Sequence, residues 1–153
     1  MATRVQLRGD RGLATRGSAG ASTVQGYPFV ATGTITSTAA GTAVTLKSDV
    51  EIPAGSQVWV TAVQMLVNGA TAWSGGSFTT LSIQDSNGTP VVFFNADAAA
   101  LTGNAQLGFG TANTTGGAGV VTGGTAGKGL QIKGNANAGA GSAVIVTVSG
   151  MVK

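Results

Sequence analysis

Residues 52–67 read I-P-A-G-S-Q-V-W-V-T-A-V-Q-M-L-V, the most apolar uninterrupted stretch of the chain, and they constrain its fold more than any other segment. Pro53 fixes φ and has no N–H to donate, and Gly55 tolerates φ > 0, so Pro-Ala-Gly predicts a sharp turn into an extended run. Within that run Val58, Val60 and Ala62 share one face, and the apolar phase then moves to Val63, Met65 and Val67. Side chains of a strand alternate with period two, so a phase change inside one strand means a bulge or burial on both faces. Either suits a strand crossing the middle of a sandwich, with part of one face available for burial between subunits.

The flanking sequence repeats the strand signal at shorter range. From Tyr27, Phe29, Ala31, Gly33 and Ile35 alternate with Val30, Thr32 and Thr34, and Ala39-Ala40-Gly41 turns the chain toward Val44 and Leu46, which predicts an antiparallel pair. Residues 78–83 and 91–94 flank Asp85-Ser86-Asn87-Gly88, a tight-turn sequence of type I′ character, and predict a second hairpin. Short strands are expected at Leu107 with Phe109, at Val120-Val121 and at Leu130 with Ile132, and a longer one over Val144, Val146 and Val148. No segment shows a 3.6-residue period and none repeats at fixed spacing, so a helical fold and a solenoid are both disfavoured. Strands this short and this evenly punctuated predict an all-β, antiparallel β-sandwich of eight strands with long connections, a jelly roll.

Charge divides the chain into two parts. Residues 1–26 carry Arg4, Arg8, Arg11 and Arg16 against a single acid, Asp10, and include the linker-like run Gly17-Ser18-Ala19-Gly20-Ala21-Ser22. They read as a flexible basic arm that orders against a partner. Residues 27–153 read as the sandwich domain, nearly neutral, with four lysines set against Asp49, Glu51, Asp85 and Asp97. A body with so few charges is kept in solution by assembly more readily than by self-repulsion. Four arginines without interleaved aromatics are sparse for packaging nucleic acid, so their bidentate geometry is better matched to carboxylates on a protein surface.

The absent residue types exclude much chemistry. With no cysteine and no histidine there is no disulfide, no thiol nucleophile, no Cys/His zinc site and no histidine-based triad. No apolar run reaches the ~18 residues of a membrane span, and no hydrophobic signal segment follows the first charges, so the chain reads as soluble and without membrane association. Gly127-Lys128-Gly129 fails as a phosphate loop because Thr122 stands where the first glycine belongs and Gly129 where Ser or Thr is needed. Asp85-Ser86-Asn87-Gly88 resembles the start of a calcium loop without its closing bidentate acid. Asp49 and Glu51 suit solvated charges at a sheet edge better than a catalytic carboxylate pair. The chain is therefore expected to be no enzyme and to need no cofactor or metal. Trp73, Tyr27 and the polar loops leave open a host-receptor or carbohydrate-binding head of a virion fibre.

Taken together, the turn and strand I-P-A-G-S-Q-V of residues 52–58, the strand T-T-L-S-I-Q-D of residues 79–85 and the ending G-S-A-V-I-V-T-V of residues 141–148 resemble the jelly-roll cement or decoration proteins of tailed bacteriophage capsids. The resemblance covers most of residues 27–153. It implies a structural virion protein on the capsid outer surface, a homotrimer at junctions between major capsid protein subunits, with arms or loops that lock neighbours together. On that reading Arg4, Arg8, Arg11 and Arg16 would contact the capsid.

Overall fold

The structure, a computed structural model, describes residues 26–108 and 123–153 in full, together with the backbone of three short strands nearer the N-terminus. Those three, β1 (Val5–Leu7), β2 (Leu13–Arg16) and β3 (Ser22–Val24), pair antiparallel in the order β1-β2-β3 within the segment read as an arm. The other residues of 1–25 lie outside the described residues, so the expected flexibility of the arm does too.

Eight further strands follow: β4 (Tyr27–Ile35), β5 (Val44–Lys47), β6 (Val58–Val67), β7 (Thr80–Asp85), β8 (Val92–Asp97), β9 (Gln106–Gly108), β10 (Leu130–Gly134) and β11 (Val144–Val152). They form two four-stranded antiparallel sheets, β4-β11-β6-β9 and β5-β10-β7-β8. Pairing is nested: the first strand of the sandwich lies beside the last, the second beside the last but one, the third beside β9, and β7 beside β8. A long antiparallel ribbon rolled up in this way is a jelly roll. Among the described residues the only helical pieces are three 3-10 turns, at Ser37–Ala39, Asp49–Glu51 and Ala98–Ala100. None of them is long and apolar enough to cross a membrane.

The core lies between the sheets. Leu81, Ile83, Phe94, Leu130 and Ile132 of one sheet face Val58, Met65, Val67, Val144 and Val146 of the other, all fully buried. Trp73 caps this core from a loop, packing on Phe78 with ring centroids 5.0 Å apart and donating from Nε1 to the Ser142 carbonyl at 2.6 Å. The predicted β7–β8 hairpin is present, with Leu81 opposite Ala96 and Ile83 opposite Phe94. Its turn is not type I′, because neither Asn87 nor Gly88 has positive φ. Asp85 replaces that tight turn with a wider loop closed by its own carboxylate.

Two expectations about pairing meet different outcomes. β4 and β5 do not pair with each other: β4 runs along β11, with Tyr27 opposite Val152 and Ile35 opposite Val144, while β5 runs along β10 in the facing sheet. The intervening residues carry the chain from one sheet to the other, a step that alternation alone does not distinguish from a hairpin. The phase change within residues 52–67 is a β-bulge. Ser149 of β11 lies opposite Ala62 and Gly150 opposite Val60, so Thr61 has no partner in the register. One extra residue returns Val63, Met65 and Val67 to the face already used by Val58 and Val60, and all five are buried in the single chain. Burial between subunits is not needed to explain them. The predicted turn is also present: Ser56 N–H donates to the Pro53 carbonyl at 2.9 Å and Gly55 has φ +82°. The strand expected at Val120-Val121 and the Phe109 end of β9 lie outside the described residues.

Candidate interaction faces

The two sheets turn outer faces of opposite chemistry to their surroundings. No Asp, Glu, Lys or Arg occurs in β4, β11, β6 or β9. Alternation puts Val30, Thr32 and Thr34 of β4 outside, beside Ile145, Thr147 and Met151 of β11 and then Trp59, Gln64 and Leu66 of β6. Val30 is 72% exposed, an unusual position for a large aliphatic side chain in a regular strand. Hydroxyls on this face are partly spent within it: Thr32 and Thr147 share a hydrogen bond at 3.3 Å, and Thr61 donates to the Ser149 carbonyl at 3.1 Å. At one corner the Lys153 ammonium lies 5.0 Å from the centre of the Trp59 ring. The result is a surface of mainly aliphatic and threonine side chains whose strands contribute no charge, with Lys153 at one corner.

The outer face of β5-β10-β7-β8 is mainly polar, with Val92 exposed opposite Gln84. Ser82 and Gln84 of β7 alternate with the buried Leu81, Ile83 and Asp85, and Lys133 of β10 lies directly opposite Ser82. A groove of about 240 Å³ runs here, lined by Ser82, Gln84, Lys133, Gly134 and Asn135. One wall is rigid. The Asn135 side chain accepts from the N–H groups of Thr79 and Thr80 at 2.8 and 3.0 Å and donates to the Ser77 carbonyl at 2.9 Å. Ser82 Oγ hydrogen-bonds Asn95 Oδ1 at 2.5 Å on the next strand.

The acids act as staples between loops. Asp85 is fully buried, and its carboxylate accepts from the N–H of Asn87 at 3.2 Å, of Val91 at 3.0 Å and of Thr125 at 2.7 Å. A buried carboxylate is tolerated when backbone donors of this kind satisfy it. Asp49 accepts from Ser86 Oγ, from the Gly129 N–H at 2.8 Å and from Lys128 Nζ at 3.1 Å. The Ser86 hydroxyl foremost, then the Gly129 N–H and Lys128, hold its carboxyl at about 2. Glu51 folds back onto Ser48, accepting from its N–H at 2.7 Å and its hydroxyl at 2.9 Å, which lowers its pKa. Asp49 and Glu51 therefore sit on one 3-10 turn and serve separate partners. Neither Asp49 nor Asp85 lines the groove, and no group of three or more His, Cys, Asp or Glu suited to a metal occurs among the described residues.

Of the arginines predicted to contact a capsid, Arg4, Arg8 and Arg11 lie outside the described residues and Arg16 ends β2, with only its backbone described. Trp73 and Tyr27, the aromatic residues that suggested sugar binding, are engaged in the fold: Trp73 is buried, and the Tyr27 hydroxyl donates to the Glu51 carbonyl at 2.8 Å. Lys133, Ser82 and Gln84 were not singled out from the sequence. Their alternation with Ile132, Leu81 and Ile83 marks them as outward-facing, but nothing local says that they meet in one groove. Compared with known proteins, the chain matches no protein-family model, and no curated protein matches it.

Proposed function

We propose that this chain is a structural virion protein that binds and stabilises a phage capsid from outside, as a homotrimer at junctions between major capsid protein subunits. The observation that carries this reading is the uncharged outer face of the β4-β11-β6-β9 sheet, with Val30 standing 72% exposed at its edge strand. Protein contacts are depleted in charge at their centres and lose little on desolvation when aliphatic and threonine side chains fill them. Strand spacing and rise make this face on the order of 500 Å². A stable interface takes roughly 800 Å² from each partner, so the face alone is too small. The basic arm supplies the remainder by laying Arg4, Arg8, Arg11 and Arg16 against acidic groups of the shell, as the resemblance to capsid cement proteins implies.

The test is attachment to virions. Antibody against the chain should label the outside of intact particles, and light scattering should give a trimer mass. Replacing the four arginines together with serine, or Val30 with Asp, should reduce particle-bound protein at least about tenfold while circular dichroism stays unchanged. Absence of the chain from purified particles would sink the reading.

A further inference from the structure

We propose that the groove on the outer face of the β5-β10-β7-β8 sheet binds acidic polysaccharide, with Lys133 taking the sugar carboxylate and Gln84 and Ser82 the hydroxyls. This site lies on the sheet opposite the uncharged face and does not depend on capsid attachment. Lys133 is singled out by its lack of partners. Lys47 pairs with Glu51 at 3.2 Å and lies over the Tyr27 and Phe29 rings, Lys128 pairs with Asp49, and Lys153 lies over Trp59. Lys133 has no ion pair, ring contact or side-chain hydrogen bond among the described residues, and the Gln84 side chain has none either. Three lysines serve the fold, and the fourth is left to meet something from outside.

What surrounds Lys133 selects the ligand. Ser82 lies directly across from it, and Gln84, Gly134 and Asn135 complete the lining, all uncharged. The Gln84 amide both donates and accepts, and the Ser82 oxygen, whose proton goes to Asn95, still accepts, which matches sugar hydroxyls, while one ammonium matches one carboxylate. At about 240 Å³ the groove is smaller than the roughly 300–1,000 Å³ of sites that enclose a free small molecule. It suits one sugar unit of a longer chain. Nucleic acid needs several cations and stacking aromatics, and the groove lining has one lysine and no aromatic ring. An acidic protein would need an apolar centre that this lining lacks. The β7–β10 ladder and the fixed Asn135 side chain hold the site in shape before binding, which limits the ordering cost.

The full chain is titrated by amide NMR with tetragalacturonate, with maltotetraose as the neutral probe and a hexaglutamate peptide as the acidic-protein probe. Saturable shifts should centre on Ser82, Gln84, Lys133 and Asn135, weaken with added salt and be absent with maltotetraose. Lys133→Ala should weaken binding at least about tenfold and Lys133→Arg should retain it, because charge rather than length carries the contact. The variant with serine at all four arm arginines should bind as the wild type does. No binding, binding that survives Lys133→Ala, binding lost with the arm arginines, equal shifts with maltotetraose, or stronger binding of hexaglutamate would each overturn the proposal. Particle attachment by Lys133→Ala, measured alongside, tests the capsid reading separately.

Discussion

Asp49 shows how a half-exposed acid can still matter to a loop. Its side chain is 43% exposed, yet three donors converge on it, led by the Ser86 hydroxyl. Its folded pKa, about 2, lies below that of an unfolded aspartate. Its contribution to stability is therefore complete above about pH 4 and is lost as pH falls toward 2. Urea midpoints measured from pH 5 down to pH 2 should fall more steeply for the wild type than for Asp49→Asn. Because solvent screens the group, the gap at pH 5 should be no more than about 1 kcal/mol, closing toward pH 2. Parallel curves would mean that the staple stabilises nothing. The sequence offered Asp49 only as a surface charge, since its donors Ser86, Lys128 and Gly129 are remote along the chain and meet it only once β7 and β10 are paired. Lys133 was hidden for the same reason: a side chain left without a partner is visible only after the partners of the other lysines are known.

β6 was the most legible element because its own side chains record its geometry. An apolar phase that slips by one residue implies either a bulge or burial on both faces, so Val60, Ala62 and Val63 marked the irregularity before its partner strand was known. What the slip could not tell was how the opposite strand accommodates it. β11 does so with Gly150, where a Cβ would collide with the Trp59 carbonyl and lie 2.7 Å from the Phe29 ring. Gly150→Val should cost about 3 kcal/mol, at the upper end for overpacking, because the obstructing atom is backbone and cannot rotate away. Ser149→Val, one residue earlier and on the outer face, is the control and should leave the urea midpoint close to the wild type's. Equal stability for both variants would mean that the bulge is soft enough to absorb a side chain. The β4–β5 misreading has the complementary cause: Phe29, Ala31, Val44 and Leu46 say that strands exist and which faces turn inward, but a hairpin and a crossover to the facing sheet produce the same alternation.

At the scale of the molecule the nested pairing makes the last strand indispensable to the first. β11 lies between β4 and β6, and its partners in β4 are more than a hundred residues away in the chain, with Val152 opposite Tyr27. Composition, periodicity and the count of short strands predicted an eight-stranded jelly roll, but strand order is a property of contacts made across the whole length. The energetic consequence is cooperativity. Without β11, β4 loses its one strand neighbour among the described residues and β6 keeps only the short β9, while the core loses the fully buried Val144, Val146 and Val148. Burying such side chains contributes roughly 1.5–3 kcal/mol each, so losing three of them and two ladders approaches the roughly 5–15 kcal/mol total stability of a domain. A chain ending at residue 141 should therefore show no cooperative urea transition and should be cut rapidly by protease within β4 and β6. A surviving transition with β7, β8 and β10 protected from hydrogen exchange would instead mean that the two sheets fold as separable units. The same long-range pairing places refolding of the complete chain among slow β topologies, in milliseconds to seconds, because the loop between β4 and β11 must close before its contacts form.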